Sequence, residues 1–133
     1  MKTRILISFL FFLHATCYAQ LENEKVIVRN MQSPTSAKYR LFPTENTWTY
    51  LKLNTSNGKV EQIQWSLDGD RMVVKLNDNP LVTIQEEKID RFTLYPTKNT
   101  FNFLLLDQID GRVWQLQWST KSENRGIIEI TNY

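Results

Sequence analysis

Leu94-Tyr95-Pro96-Thr97-Lys98-Asn99-Thr100, continuing through Asp107-Gln108-Ile109-Asp110-Gly111 to Gln115-Leu116-Gln117-Trp118-Ser119, decides the fold, because the chain has already spelled this text once. The earlier copy lies 53 residues upstream and runs Leu41-Phe42-Pro43-Thr44-Glu45-Asn46-Thr47, then Asn57-Gly58, then Gln62-Ile63-Gln64-Trp65-Ser66. Aligned without a gap, 13 of the 28 positions from Tyr39 to Ser66 are identical to their counterparts. This is a duplicated structural unit.

Each copy reads as strands. Aromatic and β-branched residues concentrate in Tyr39 to Phe42, Trp48 to Leu53, Val60 to Ser66 and Arg71 to Leu76, and again in Phe92 to Tyr95, Phe101 to Leu106, Val113 to Ser119 and Gly126 to Ile130. No window sustains the i, i+3, i+4, i+7 spacing of an amphipathic helix, although Ile84 to Ile89 has room for one turn. The expected organisation is residues 1–19 as a signal, 20–38 as a strand and loop, and 39–133 as one duplicated domain. Within that domain, repeat 1 covers 39–79, a connector 80–91, and repeat 2 92–133. Lys25 to Arg29 echoes Arg71 to Lys75 and is read as a strand covering a sheet edge.

The central hairpin sets the register. Asp107 followed by Gly111 and Arg112 suits a four-residue loop whose last residue takes positive φ, which glycine accepts freely, and Asn54 to Lys59 matches it. Pairing Asp107 with Arg112 places Leu105 opposite Trp114 and Phe101 opposite Trp118, whereas in the first copy Lys52 faces Glu61 and Trp48 faces Trp65. This register predicts a core face of Trp48, Tyr50, Ile63 and Trp65 with Phe101, Phe103, Leu105, Leu116 and Trp118. It leaves Leu51, Leu53, Val60, Gln62 and Gln64 on the other face. The fold class is all-β: two tandem copies of a four-stranded antiparallel unit, packed as a pseudo-twofold sandwich or small barrel.

Lys2 and Arg4, the apolar run Ile5 to Leu13 and small residues up to Cys17-Tyr18-Ala19 predict a secretory signal cut after Ala19. The apolar run is too short to span a membrane. Cys17 offers a lipoprotein alternative, but His14-Ala15-Thr16 departs from the usual lipobox. The protein is therefore expected outside the cytoplasm, periplasmic or secreted, with no transmembrane segment.

Removing residues 1–19 takes Lys2 and Arg4 from the 16 basic residues and leaves 14, equal to the 14 acidic ones, all of which lie beyond the cut. A neutral mature chain with interspersed charge gives no electrostatic footprint for nucleic acid. His14 and Cys17 are the only histidine and cysteine, and both fall in the signal. Ser-His-Asp and Cys-His catalysis, His or Cys zinc sites, disulfides and c-type haem attachment are thereby excluded from the mature chain. No cofactor and no metal are expected.

Leu106-Asp107-Gln108-Ile109-Asp110-Gly111-Arg112-Val113-Trp114 resembles the hairpin of quinoprotein-type propeller repeats, which carry Leu-Asp, a Gly followed by Lys or Arg, and a Trp three residues after the Gly. The likeness is one of turn geometry and implies no cofactor; the first copy has Glu61 where that Trp belongs. More broadly, Tyr-Pro-Thr-x-Asn paired with a Trp-Gln-x-Gln-Trp strand resembles small exported Bacteroidetes-type proteins of unknown function, whose signals often end in Ala-Gln. That resemblance implies bacterial export and brings no activity.

The remaining candidates for chemistry each have a structural reading. The Pro-Thr-x-Asn-Thr turns are expected to bond their own backbone. Gln62, Gln64, Gln115 and Gln117 suit sugar or peptide recognition, or simply a wet sheet face. Asp68-Gly69-Asp70, Glu86-Glu87 and Asp107 with Asp110 are the closest carboxylate groupings, and all read as turn or loop formers. Trp48, Trp65 and Trp118 read as core. Trp114, whose counterpart is a glutamate, is either core or the centre of a contact patch with Leu105, Arg112, Gln115 and Gln117. The leading expectation is a non-catalytic exported β module that binds a protein or glycan partner. A carboxylate-dependent hydrolase and a structural cell-envelope component are the alternatives.

Overall fold

The computed structural model describes residues 36–131. The expected signal, Cys17 and the Lys25 to Arg29 strand lie outside the described residues. Within them are eight strands in two meanders: β1 Tyr39–Pro43, β2 Thr49–Asn54, β3 Val60–Gln64 and β4 Met72–Asn77, then β5 Phe92–Pro96, β6 Asn102–Asp107, β7 Val113–Gln117 and β8 Gly126–Ile130. They form two four-stranded antiparallel sheets with orders β1-β2-β3-β4 and β5-β6-β7-β8. Ile84–Glu86 makes a single 3-10 turn in the connector, closed by Glu86, which accepts from the backbone N–H (3.0 Å) and hydroxyl (2.7 Å) of Thr83. A second short turn, Ser122–Asn124, precedes β8.

The hairpin register is the one the duplication implies: Leu105 lies opposite Trp114, and Lys52 opposite Glu61, where the two side chains form an ion pair. In both central loops the last residue is a glycine in the left-handed region, Gly58 at φ 76° and Gly111 at φ 81°. Each loop is closed by the same pair of backbone bonds, Asn54 with Lys59 and Gly58, and Asp107 with Arg112 and Gly111. The Pro-Thr-x-Asn-Thr turns are duplicated down to the atom. Thr44 Oγ1 donates to Thr49 O (2.9 Å) as Thr97 Oγ1 does to Asn102 O (2.9 Å). Asn46 Oδ1 accepts from Trp48 N as Asn99 Oδ1 does from Phe101 N. The indoles of Trp65 and Trp118 cap these turns by donating to Thr47 O (3.0 Å) and Thr100 O (2.9 Å).

One core lies between the sheets. From the first sheet it takes Leu51, Leu53, Val60 and Leu76, and from the second Phe92, Leu94, Phe103, Leu105, Trp114, Leu116 and Trp118. Here the structure corrects the expected core. In the second copy the inward face is the expected one, except that Phe101 at its end is 45% exposed, but in the first it is the opposite face: Leu51, Leu53 and Val60 are fully buried, while Trp48 and Trp65 are 41% and 38% exposed. Both faces of the first sheet are apolar enough to bury, so alternation does not choose between them. Lys52 and Glu61 do, since burying two charges costs far more than leaving a tryptophan pair half in solvent.

The sheets therefore meet through non-equivalent faces. A sandwich built on a twofold axis would bring the same face from each copy, so the arrangement is a sandwich without that axis, and it is not closed into a barrel. Gln62 spans the interface, its Oε1 accepting from the backbone N–H of Ser119 at 3.3 Å. The connector locks the first hairpin to the second sheet: Phe92 N donates to Thr55 O (2.8 Å), and Leu81 N to Asn57 O (2.9 Å). Arg40 bonds Asp90 at 2.8 Å across the same junction.

Candidate functional site

The contact patch expected around Trp114 divides over two sides of the second sheet. Trp114 (4% exposed) and Leu105 (0%) belong to the core. The Trp114 ring packs against Phe92 with centroids 6.2 Å apart, and the Arg112 guanidinium lies 5.2 Å over its far side. Trp114 is buried where Glu61 is not, because β7 turns toward the other sheet the face that β3 turns away. The Arg112 side chain is partly exposed and engaged, donating to Asp110 Oδ2 at 2.7 Å. Gln115 and Gln117 point to the opposite face. There Gln115 Nε2 donates to Asn102 Oδ1 (2.9 Å), and both glutamines line an open groove of about 420 Å³ with Glu123, Asn124 and Ile128.

The glutamines are not one wet set. Gln62 is fully buried in the sheet interface, and its Nε2 has no hydrogen-bond partner among the described residues. Gln115, its repeat counterpart, is exposed.

The carboxylates serve as loop formers. Asp68 and Asp70 are exposed in the β3–β4 turn, where Gly69 N donates to Ser66 Oγ at 2.7 Å. Glu87 accepts from Asn57 Nδ2 and Ser56 Oγ, both at 3.0 Å, and these bonds hold its carboxyl below the ordinary glutamate range. Asp107 is the exception in depth: it is fully buried and accepts Nε of buried Arg91 on both oxygens, at 3.0 and 2.9 Å. That pair is not legible in the sequence, since Asp107 reads as a loop former whose repeat counterpart, Asn54, is uncharged, and Arg91 falls in the connector outside both repeats.

Two carboxylates share one depression on the first sheet, Glu61 and Asp78, with Tyr39, Lys52 and Lys59. Glu61 is paired with Lys52. Asp78 accepts from Lys75 Nζ at 2.6 Å, and that bond draws its carboxyl below the ordinary aspartate range. Among the described residues no group of three or more His, Cys, Asp or Glu sits close enough to hold a metal ion.

The aromatic pair expected in the core of the first sheet lies instead on its outer face. On the outer face of the first sheet, Trp48 and Trp65 stack with centroids 4.7 Å apart at 58°, flanked by Tyr50 and Ile63 and by exposed Val73 and Leu41. The Trp65 ring is tied through Nε1 to Thr47 O, and Trp48, whose backbone N–H donates to Asn46 Oδ1, packs its ring against it. The outer face of the second sheet presents Tyr95, Leu104 and Ile128 around Gln115.

Compared with family models, with curated proteins and with solved structures, the chain matches none of them. Among the described residues no helix is long and apolar enough to cross a membrane.

Proposed function

We propose that the protein is an exported, non-catalytic β module that binds a macromolecular partner, protein or glycan, through the outer faces of its sheets. The observation that carries this is the Trp48–Trp65 pair: two large rings in mutual contact, each more than a third exposed, the Trp65 indole held by a hydrogen bond to Thr47 O and the Trp48 backbone by one to Asn46 Oδ1. Beyond the turn that the Trp65 indole caps, aromatic surface held in water adds little to folding, whereas a preorganised aromatic platform lowers the entropy cost of binding.

The non-catalytic part of the reading is supported by the chemistry left to the chain. A carboxylate hydrolase needs one carboxyl protonated at its working pH, yet the two in the shared depression are each matched to a lysine, and Asp78 is pulled toward its ionised form.

The test is retention of the mature chain on immobilised polysaccharide and solubilised protein from the cell envelope of the source organism. Wild type is retained, and Trp48→Ala and Trp65→Ala are lost at least tenfold while melting cooperatively. Equal retention of all three proteins contradicts the assignment of this face.

A further inference from the structure

We infer that the partner of this protein is a second copy of itself, and that copies stack head to tail, the outer face of the second sheet of one chain on the outer face of the first sheet of the next. This rests on the reading of the molecule as a binding module. The chain carries a template for the contact in its own core. The inner row of the first sheet, Phe42, Leu51, Gln62 and Val74, faces the inner row of the second, in which Phe103, Leu116 and Ile127 meet Phe42 and Leu51 in the shared core while Pro96 ends the row exposed.

By the duplication, each of these rows exists a second time, turned outward. Tyr95, Leu104, Gln115 and Ile128 on the outer face of the second sheet are the counterparts of Phe42, Leu51, Gln62 and Val74. Pro43, Tyr50, Ile63 and Val73 on the outer face of the first sheet are the counterparts of Pro96, Phe103, Leu116 and Ile127. The exposed surfaces are thus the two halves of an interface the protein already makes, left at opposite ends of a two-sheet stack. The register of that stack is also specified. Gln62 Oε1 accepts Ser119 N–H within the chain, so Gln115 Oε1 would accept the N–H of Ser66 in the neighbouring copy.

A contact between unlike faces is heterologous, and repeating its rotation gives either a closed ring or an open filament. Radially stacked four-stranded sheets close in rings of about four to eight. With two sheets per chain, a ring would hold about two to four copies. The contact between chains is weaker than the one within, because Lys52 and Glu61 stand where Leu105 and Trp114 stand in the internal interface. Burying that ion pair between chains carries a desolvation cost that its mutual attraction only partly offsets, which an apolar pair would not carry. A sheet face of this size buries on the order of 1,000 Å² counting both partners, the lower end for a specific interface, so assembly should depend on concentration.

The experiment is sedimentation of the mature chain across a range of concentrations, with Val73→Glu blocking one outer face and Ile128→Glu the other. Both side chains are mostly exposed (58% and 70%), so neither change should disturb folding, and Leu41→Glu and Tyr95→Lys repeat the test at a second exposed position on each face. Wild type is expected at two to four times the monomer mass for a ring, or as a series that keeps growing with concentration for a filament. Each single variant stays monomeric, and an equimolar mixture of a first-sheet and a second-sheet variant gives a species of twice the monomer mass and nothing larger. Two results overturn the proposal: wild type that stays monomeric at every concentration, or one variant that dimerises alone, which means like faces pair. Monomeric wild type whose envelope retention is lost in Trp48→Ala would overturn self-stacking and leave the binding module standing. Association unaffected by Trp48→Ala and Trp65→Ala would remove the aromatic face from both.

Discussion

Leu51 and Leu104 occupy the same position in the two copies of the repeat, yet Leu51 is fully buried between the sheets while Leu104 lies on the outer face of the second sheet, 36% exposed. One duplicated sequence has been folded twice into the same sheet and then packed by opposite sides. Identity between copies therefore reports what a sheet needs to form, and the differences report which side it buries.

Trp114 is the clearest case of that division. Its removal should leave a cavity against Phe92 and lower stability by about 3–5 kcal/mol in a denaturant titration, as for other buried aromatic truncations. Trp48→Ala, on the outer face, should cost less than about half as much, because much of the ring is already in water.

The buried Arg91–Asp107 pair should be intolerant of single changes. Asp107→Ala leaves a guanidinium that is 6% exposed with only the longer contact to Asp110 (3.4 Å) and the Glu86 carbonyl, and is expected to cost about 3 kcal/mol, measured by chemical denaturation. The double variant Arg91→Met with Asp107→Leu should recover much of that loss, because neither charge is then left without its partner.

The two positive-φ glycines should differ in their response to alanine. At Gly111 nothing lies within 4 Å of a new Cβ, so Gly111→Ala should cost only the left-handed backbone penalty of about 1–2 kcal/mol. At Gly58 the Cβ would sit 2.7 Å from Leu81 Cδ1 and 3.2 Å from Phe92 Cε1, so Gly58→Ala should be visibly the worse of the pair in a thermal melt.

Glu87 gives the fold an acid-sensitive joint. Its folded carboxyl is held below the ordinary range by Asn57 and then Ser56, so the stabilisation is present above the unfolded pKa and is lost as pH falls through the folded one. The melting temperature of wild type should fall below about pH 4, and more steeply than that of Glu87→Gln, which cannot take up the proton.

Strand positions, hairpin register, the roles of both loop glycines and the self-bonding Pro-Thr-x-Asn-Thr turns were all legible in the sequence, because each is a local matter repeated at a fixed interval. The inward face of the first sheet was not. Trp48, Tyr50, Ile63 and Trp65 outweigh Leu51, Leu53 and Val60 in apolar bulk, and periodicity of two assigns residues to faces without saying which face is inside. The signal lay in Lys52 and Glu61, an ion pair on the side assigned to the core. For the candidate site the same inversion applies: Gln115 and Gln117 were placed with Trp114 by their nearness in sequence, and a strand sends Gln115 and Gln117 to the face opposite Trp114.

Trp65 and Trp118 provide the most direct test of packing by opposite faces, since both close a Gln-x-Gln-Trp-Ser stretch and cap equivalent turns yet present opposite sides, 38% against 1% exposed. The measurement is acrylamide quenching of tryptophan fluorescence in dilute Val73→Glu protein, in which stacking between copies is blocked, compared with the same protein carrying Trp65→Phe or Trp118→Phe. Trp65→Phe should remove quenchable emission and Trp118→Phe protected emission. Equal protection of the two rings would mean that both copies turn the same face inward, and would contradict the account.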